Sequence, residues 1–431
     1  MTTEQITENA KAILLLCGRF GVGDETGAQP LNIKEYDEVA SWLGSKKWWP
    51  ADLLNEENQG TLSDAFAPVA PARMKALLAR GASMAIAIEK WVNKGLWVLC
   101  RSDEAYPQRL KQHLKRSAPP ILYGAGDRAL LSKGGLAVVG SRHIDAEAEA
   151  FARAVGRSAA QSGMQLISGA ARGVDETAMH GAFEEGGSVI GVMADSLLRA
   201  AVSGKYRDGI RSGQLVLIST YNPEAGFNVG NAMGRNKYIY ALADFAVVVS
   251  SDYKEGGTWA GAEEELRREG GHPVFVRTGA SVPRGNTELL RKGAKPFPAD
   301  ALTSSIKDAL HAAIAPRAEI PAAILPTDVV PVAATAATYP ESVVEVAVGR
   351  MAVREAPALL TSSVYEAVKP LILNALDKPK KLDELVKTLK VRKTQLQDWV
   401  KLLLNEGVIE ERMIRKSKKL AIRKSDEELK L

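Results

Sequence analysis

"ISGAARGVDETAMHGA", Ile167 to Ala182, is the stretch on which the fold class turns. A short apolar run leads into two glycines with an arginine between them, and then into a segment of helical spacing. Gly169 and Gly173 open backbone conformations that other residues resist, so the chain can turn sharply and present N–H groups before a helix beginning near Val174. Such a turn is expected to cradle an anion, with Ser168 and Asp175 bracketing it and Arg172 projecting from it. Asp175, in the first helical turn, either ties Arg172 down or favours the helix electrostatically.

The pattern repeats outward from this unit. The apolar runs "LWVLC", "ILYG", "LAVVG", "MQLIS", "SVIGVM", "LVLIS", "FAVVVSS" and "PVFVR" are separated in several places by helix-length amphipathic segments. Strands that are apolar without alternation are expected where helices cover both faces of a parallel sheet. The fold class is therefore α/β, a Rossmann-like, doubly wound and mostly parallel sheet over residues 91–310.

Residues 1–90 read as a small helical N-terminal domain, in which "KKWWPADLL" sets Trp48 either as a stacking surface or as a packing residue. Residues 311–360, rich in Ala, Pro and Val, read as a linker: Pro316, Pro321, Pro326 and Pro331 forbid a long regular helix. Residues 361–431 read as helix, helix, helix and hairpin, the order of a winged helix. Leu396, Trp399, Val400, Leu403 and Leu404 form the apolar face of its third helix, Gly407 suits the C-cap, and "RKSKK" (Arg415 to Lys419) makes the hairpin tip.

The chain has 431 residues, 46% hydrophobic and 25% charged, an ordinary globular composition. Its apolar runs fall far short of the roughly 20 residues that span a bilayer, and "MTTEQITENAK" does not resemble a secretory signal, so no membrane association and a cytoplasmic location are expected. Cys17 and Cys100 alone make neither a disulfide framework nor a zinc site. The net charge is +5, yet Ser363 to Leu431 holds 17 Lys and Arg against 11 Asp and Glu, which makes the C-terminal region a basic surface suited to nucleic acid.

Two further strands end in glycine turns. "LAVVGSRHID" puts Gly140, Ser141 and Arg142 directly after a strand, and "FAVVVSSDYKEGGTWAGAEEEL" puts Gly256, Gly257 and Thr258 between a strand and a helix. "NAMGRNKYIYALAD" brings Arg235, Asn236 and Lys237 to the start of a helix. In a doubly wound sheet these loops emerge together at the carboxyl ends of the strands, so a phosphate-binding edge is expected from Gly140, Ser141, Arg142, Ser168, Gly169, Arg172, Gly173, Asp175, Arg235, Asn236, Lys237, Gly256, Gly257 and Thr258. Neither a P-loop nor a G-x-G-x-x-G fingerprint is present, and the five histidines show no metal-ligand spacing, so no cofactor, no metal and no catalytic group are expected.

"VVGSR", "ISGAARGVDETAMHGAFEEGGSVIGVM" and "GRNKYIYALADFAVVVSS", in that order, resemble the DprA/Smf family of DNA-processing proteins over residues 95–295. The resemblance implies a non-enzymatic bacterial protein that binds single-stranded DNA, forms a homodimer through the Rossmann-like domain and helps load a RecA-type recombinase in natural transformation. It also implies that Arg142, Arg172, Arg235 and Lys237 line a basic pocket for the DNA backbone. "EGGTWAGAE" stands where many relatives have a "GSGSLITA"-like loop, and "ALAD" where they have "GLS". Trp259, beside the last glycine turn, is either a stacking surface for a base or a core residue.

Two alternatives stay open. "EGGTWAGAEEEL" is similar to the signature of nucleotide phosphoribohydrolases, but Gly261 occupies the position of the catalytic acid and Glu263 comes two residues late, on another face of the helix. A nucleotide-sensing regulator that binds duplex DNA through Arg392 to Lys419 is the third reading.

Overall fold

A computed structural model describes residues 6–21, 27–60, 69–315, 364–376, 378–389, 396–397, 399–400, 403–404, 406–414 and 417–422. They fall into two units, divided between Ile324 and Leu325.

All eight apolar runs form strands of one sheet: β1 (Trp97–Cys100), β2 (Ile121–Gly126), β3 (Leu136–Gly140), β4 (Leu166–Ser168), β5 (Val189–Val192), β6 (Leu215–Ser219), β7 (Phe245–Ser250) and β8 (Val274–Val276). A ninth, β9 (Lys295–Pro296), is two exposed residues long and leaves no apolar signal. The order is β1-β2-β6-β5-β4-β3-β7-β8-β9. β1 and β2 are antiparallel to their neighbours, and the pairs from β6 to β9 are parallel.

The sheet is buried on both faces. Leu136 and Val138 of β3, with Phe245, Val247 and Val249 of β7, join one apolar cluster, while Ala137, Val139, Ala246 and Val248 join the other. Successive side chains of a strand point to opposite faces, so a strand between two helical layers must be apolar at every position. Residues 8–92 supply helices Glu8–Cys17, Ile33–Lys46, Pro71–Leu78 and Gly81–Val92, whose core is continuous with the first of these clusters. Trp91 packs edge-on against Tyr123 of β2, with ring centroids 5.1 Å apart. Trp48 is half-buried against Trp42, which makes it a packing residue, and both cysteines are free.

On this same face, over β4 and β3, helices Ala146–Gln161 and Val174–Glu184 touch backbone to backbone. A Cβ on Gly156 would collide with the carbonyl of Ala178, and one on Gly181 with that of Arg153. This close approach fixes the start of the second helix, and with it the turn quoted above.

Chain order fixes where a ligand can sit. From β3 the chain winds outward through β4, β5 and β6, then returns to place β7 on the other side of β3. The loops that follow β3 and β7 thus diverge, and the crevice between their carboxyl ends is the switch point of the sheet.

His311, where a linker is expected to begin, lies within helix Ile306–Ile314, with Ile306, Ala309 and Leu310 buried. The four prolines lie outside the described residues. The second unit has helices Val364–Ala375 and Leu382–Leu389 and an antiparallel hairpin, β10 (Ile409–Ile414) and β11 (Ser417–Ile422), around Ile372, Leu385, Leu396, Val400 and Leu403. Gly407, at φ 69°, has its N–H bonded to the Leu404 carbonyl, as a C-cap glycine should. Arg415, Lys416 and Arg392 lie outside the described residues. Among the described residues no helix is long and apolar enough to cross a membrane.

Candidate nucleic-acid interface

The three glycine turns meet above β3 and β7. A cavity of about 360 Å³ there is lined by Gly140, Ser141, Arg142, Asp175, Arg235, Asn236, Gly256, Gly257 and Thr258, nine of the fourteen residues expected at the edge. Each turn is held by its neighbours. The Ser141 N–H donates to the Ser250 carbonyl (2.9 Å), and the Ser141 carbonyl accepts from Val174 N–H (3.3 Å). Gly173 has φ 82°, and a Cβ there would meet the carbonyls of Ser141 and Arg142. Glycine is therefore required for both its conformation and its lack of a side chain.

The opening turn does not offer an empty cradle. Asp175, 4% exposed, curls back so that its Oδ2 accepts the Gly169 N–H at 3.1 Å, and the Ala171 amide bonds to the same carboxyl. The anion seat of this loop is occupied by the protein's own carboxylate. Arg172 is exposed and outside the cavity lining; Asp175 pairs with Arg235 in its place and lies in the acidic first turn of the helix. Ser168 is wholly buried, donating to the Val138 carbonyl at 2.7 Å.

The counter-charge of Asp175 is Arg235. Its Nη2 stands 3.4 Å from Asp175 Oδ2, and its Nη1 donates to the Val192 carbonyl at the end of β5 (2.7 Å). Only 7% of the residue is exposed, and a Cβ on Gly169 would fall inside its guanidinium. Burial pushes the Asp175 carboxyl up and the Arg235 guanidinium down from their ordinary values, against the pull of each on the other. Arg235 is thus a strut between β5 and the first turn of helix Val174–Glu184, at the floor of the cavity. Lys237 faces elsewhere: its ammonium lies over the Tyr238 ring, half-buried, and burial lowers its pKa.

The groups that remain open belong to the other two turns. Helix Gly256–Arg267 begins in the cavity with no side-chain cap, and nothing lies within 4 Å of a Cβ position on Gly256. Its leading N–H groups form an anion site of the helix-terminus kind. Asn236 holds this helix in place by donating from Nδ2 to the Gly257 carbonyl at 2.6 Å, with Gly257 and Gly261 packed against it. Arg142, exposed at the mouth, lies over the Phe227 ring at 5.1 Å. Asp252 and Glu255 add two carboxylates to the rim.

Sequence reasoning missed the apolar part of this site. Phe227, Val229 and Met233 are 57%, 62% and 42% exposed, and all three line the cavity. Three large apolar side chains left in water around one crevice are a binding signal, and "GFNVGNAMG" carried it as apolar residues in a Gly- and Asn-rich loop. Trp259 resolves the other way. It is 4% exposed, edge-on to Tyr253 at 5.1 Å, and belongs to the core, so base stacking on it is excluded. Glu263 bonds Lys292 (2.9 Å) and Arg267 (2.7 Å) and does not line the cavity, in keeping with its two-residue offset.

Comparison with known proteins agrees with this fold. The family model for DNA recombination-mediator protein A matches residues 97–307, from the first residue of β1 into helix Ile306–Ile314. DNA processing protein DprA of Bacillus subtilis (strain 168) is 25% identical over 268 residues, covering 58% of this chain and 84% of that protein. DprA of Streptococcus pneumoniae (strain ATCC BAA-255 / R6) is 28% identical over 198 residues, covering 45% of this chain and 68% of its own. The X-ray structure of Streptococcus pneumoniae DprA shares the fold, with a TM-score of 0.54 at 19% identity over 72% of this chain and 98% of that one. Over residues 97–307 the chain is similar to the DNA recombination-mediator protein A family.

Proposed function

We propose that this protein is a recombination mediator that holds single-stranded DNA at the crevice above β3 and β7, acts as a homodimer and passes the strand to a RecA-type recombinase. The observation that carries the strand-binding part is the pairing of Arg142 and Phe227 at the mouth of a cavity that opens onto an uncapped helix N-terminus. A phosphate suits Arg142 and the amides of Gly256 and Gly257, while a base suits the exposed Phe227 face. A duplex keeps its bases stacked inside and offers such an aromatic surface only phosphates, so the arrangement favours a single strand. The basic C-terminal unit, with its hairpin β10–β11, is read as a winged helix that adds a second, sequence-independent contact.

The test is anisotropy of a labelled single strand of about 35 nucleotides and of its duplex across a salt series. Wild type is expected to prefer the single strand, and Arg142→Ala to weaken it and flatten the salt slope by about 0.7, the contribution of one phosphate on a single strand. Equal affinity for duplex, or a slope unchanged in Arg142→Ala, overturns the assignment of DNA to this crevice.

A further inference from the structure

Arg277 follows β8 at the carboxyl edge that carries the cavity. It is 3% exposed. Its Nε donates to the Val249 carbonyl at 3.1 Å, but Nη1 and Nη2 are buried and have no hydrogen-bond partner among the described residues. A buried guanidinium with two nitrogens unsatisfied is costly, and such a group calls for a partner. The Phe151 ring, 5.9 Å away, supplies no acceptor lone pair.

What faces those nitrogens is an exposed carboxylate at a poor distance. Glu147 Oε1 is 3.6 Å from Nη1, and the Glu147 side chain is 64% exposed. Its other oxygen accepts from the Ser281 hydroxyl. Glu147 lies in the first turn of helix Ala146–Gln161, where backbone N–H groups have no partner within the helix and Asp145 takes only that of Ala148 among them. A guanidinium fork and a hydroxyl face one loosely held anionic group in the first turn of a helix, and the same three donor types bind phosphate.

We propose that Arg277, Ser281 and the N-terminus of helix Ala146–Gln161 form a second phosphate seat, which the Glu147 carboxylate covers in competition with the phosphates of the bound strand. The proposal rests on the reading of the cavity as a strand-binding site. The two seats share one loop: Ser141, Arg142 and His143 line the cavity, and Glu147 follows four residues after His143. A backbone leaving Arg142 along this edge crosses the end of β7 and meets Arg277 at the end of β8.

The experiment is the salt dependence of single-strand binding by the full chain in Glu147→Gln, Glu149→Gln, Arg277→Gln and Arg142→Ala. Glu149 is exposed in the same helical turn and controls for simple loss of negative charge. Uncovering the seat in Glu147→Gln should add one phosphate contact, steepening the slope by about 0.7, so that the affinity lost between about 50 and 200 mM salt grows by about 2.5-fold. Glu149→Gln should leave the slope unchanged, and Arg277→Gln added to Glu147→Gln should abolish the gain. Equal slopes in Glu147→Gln and Glu149→Gln overturn the second seat, and this comparison stands even if Arg277→Gln does not fold. If Arg142→Ala is weakened while Glu147→Gln keeps the wild-type slope, the cavity reading survives and the second seat falls. Binding unaffected by any of the four variants removes both.

Discussion

Replacing Arg235 with glutamine separates a strut from a ligand contact. The native guanidinium is 93% buried and closes two acceptors, the Val192 carbonyl and Asp175. Its loss leaves a buried carboxylate without its counter-charge, and breaking a buried pair from one side costs about 3–5 kcal/mol. The Asp175 carboxylate keeps the Gly169 and Ala171 amides, which places the expected cost toward the lower end, about 3 kcal/mol. At about 2 °C per kcal/mol for a unit of this size, the melting temperature should fall by roughly 6 °C. Asp175→Asn should cost a similar amount, and the double variant less than the sum by about 1–3 kcal/mol, because the two groups are each other's partner. The assay is thermal and urea unfolding of all three variants, with single-strand binding measured on folded protein at low temperature. Unchanged melting in Arg235→Gln together with a lost phosphate contact would refute the reasoning and return Arg235 to the DNA.

Two other outcomes are expected. Trp259→Ala should destabilise by about 3–5 kcal/mol, as loss of a buried aromatic does, while the folded fraction binds single strands as wild type does; intact melting with weakened binding would contradict its place in the core. The cluster in which His113 bonds Glu265 (3.0 Å) and stacks on His272 (4.5 Å between rings) should make the fold acid-sensitive. Burial lowers the His272 pKa, so below about pH 6.5 the unfolded chain binds a proton that the folded chain resists, and stability falls as pH drops. Glu265 is held low, despite burial, by His113 and the His272 amide, and its contribution is lost at still lower pH. Melting temperatures between pH 8 and pH 5 should decline below about 6.5 in wild type and flatten in His272→Gln; parallel curves would count against this account.

The fold was legible because a strand buried on both faces must be apolar at every position, and eight such runs are hard to mistake. β9 was invisible because Lys295 and Pro296 make strand pairing without burial. Of the site, the meeting of the glycine turns could be read from chain order. The roles of the charges could not. Arg142, Arg172 and Arg235 follow or precede glycine in similar ways, yet one is exposed over Phe227, one is exposed outside the cavity and one is sealed beneath it. Burial of a long side chain depends on what approaches from other parts of the chain, here β5 and the Gly169 turn, and local spacing carries no record of that. Trp259 shows the same limit, since its neighbour Tyr253 and the helix contact at Gly261 decide which way the indole turns.

The carboxylate of Asp175 in its own glycine turn bears on competition with small metabolites. A mononucleotide that enters the crevice finds the most enclosed anion position already taken from within, and meets one open helix end and one exposed arginine. Its affinity is set by those few contacts. A polymer repeats its charge along the edge, so each weak contact raises the local concentration of the next phosphate. On the proposed reading of the crevice, the occupied turn tunes the protein toward chain length over nucleotide identity, and lets it work among free nucleotides without being saturated by them.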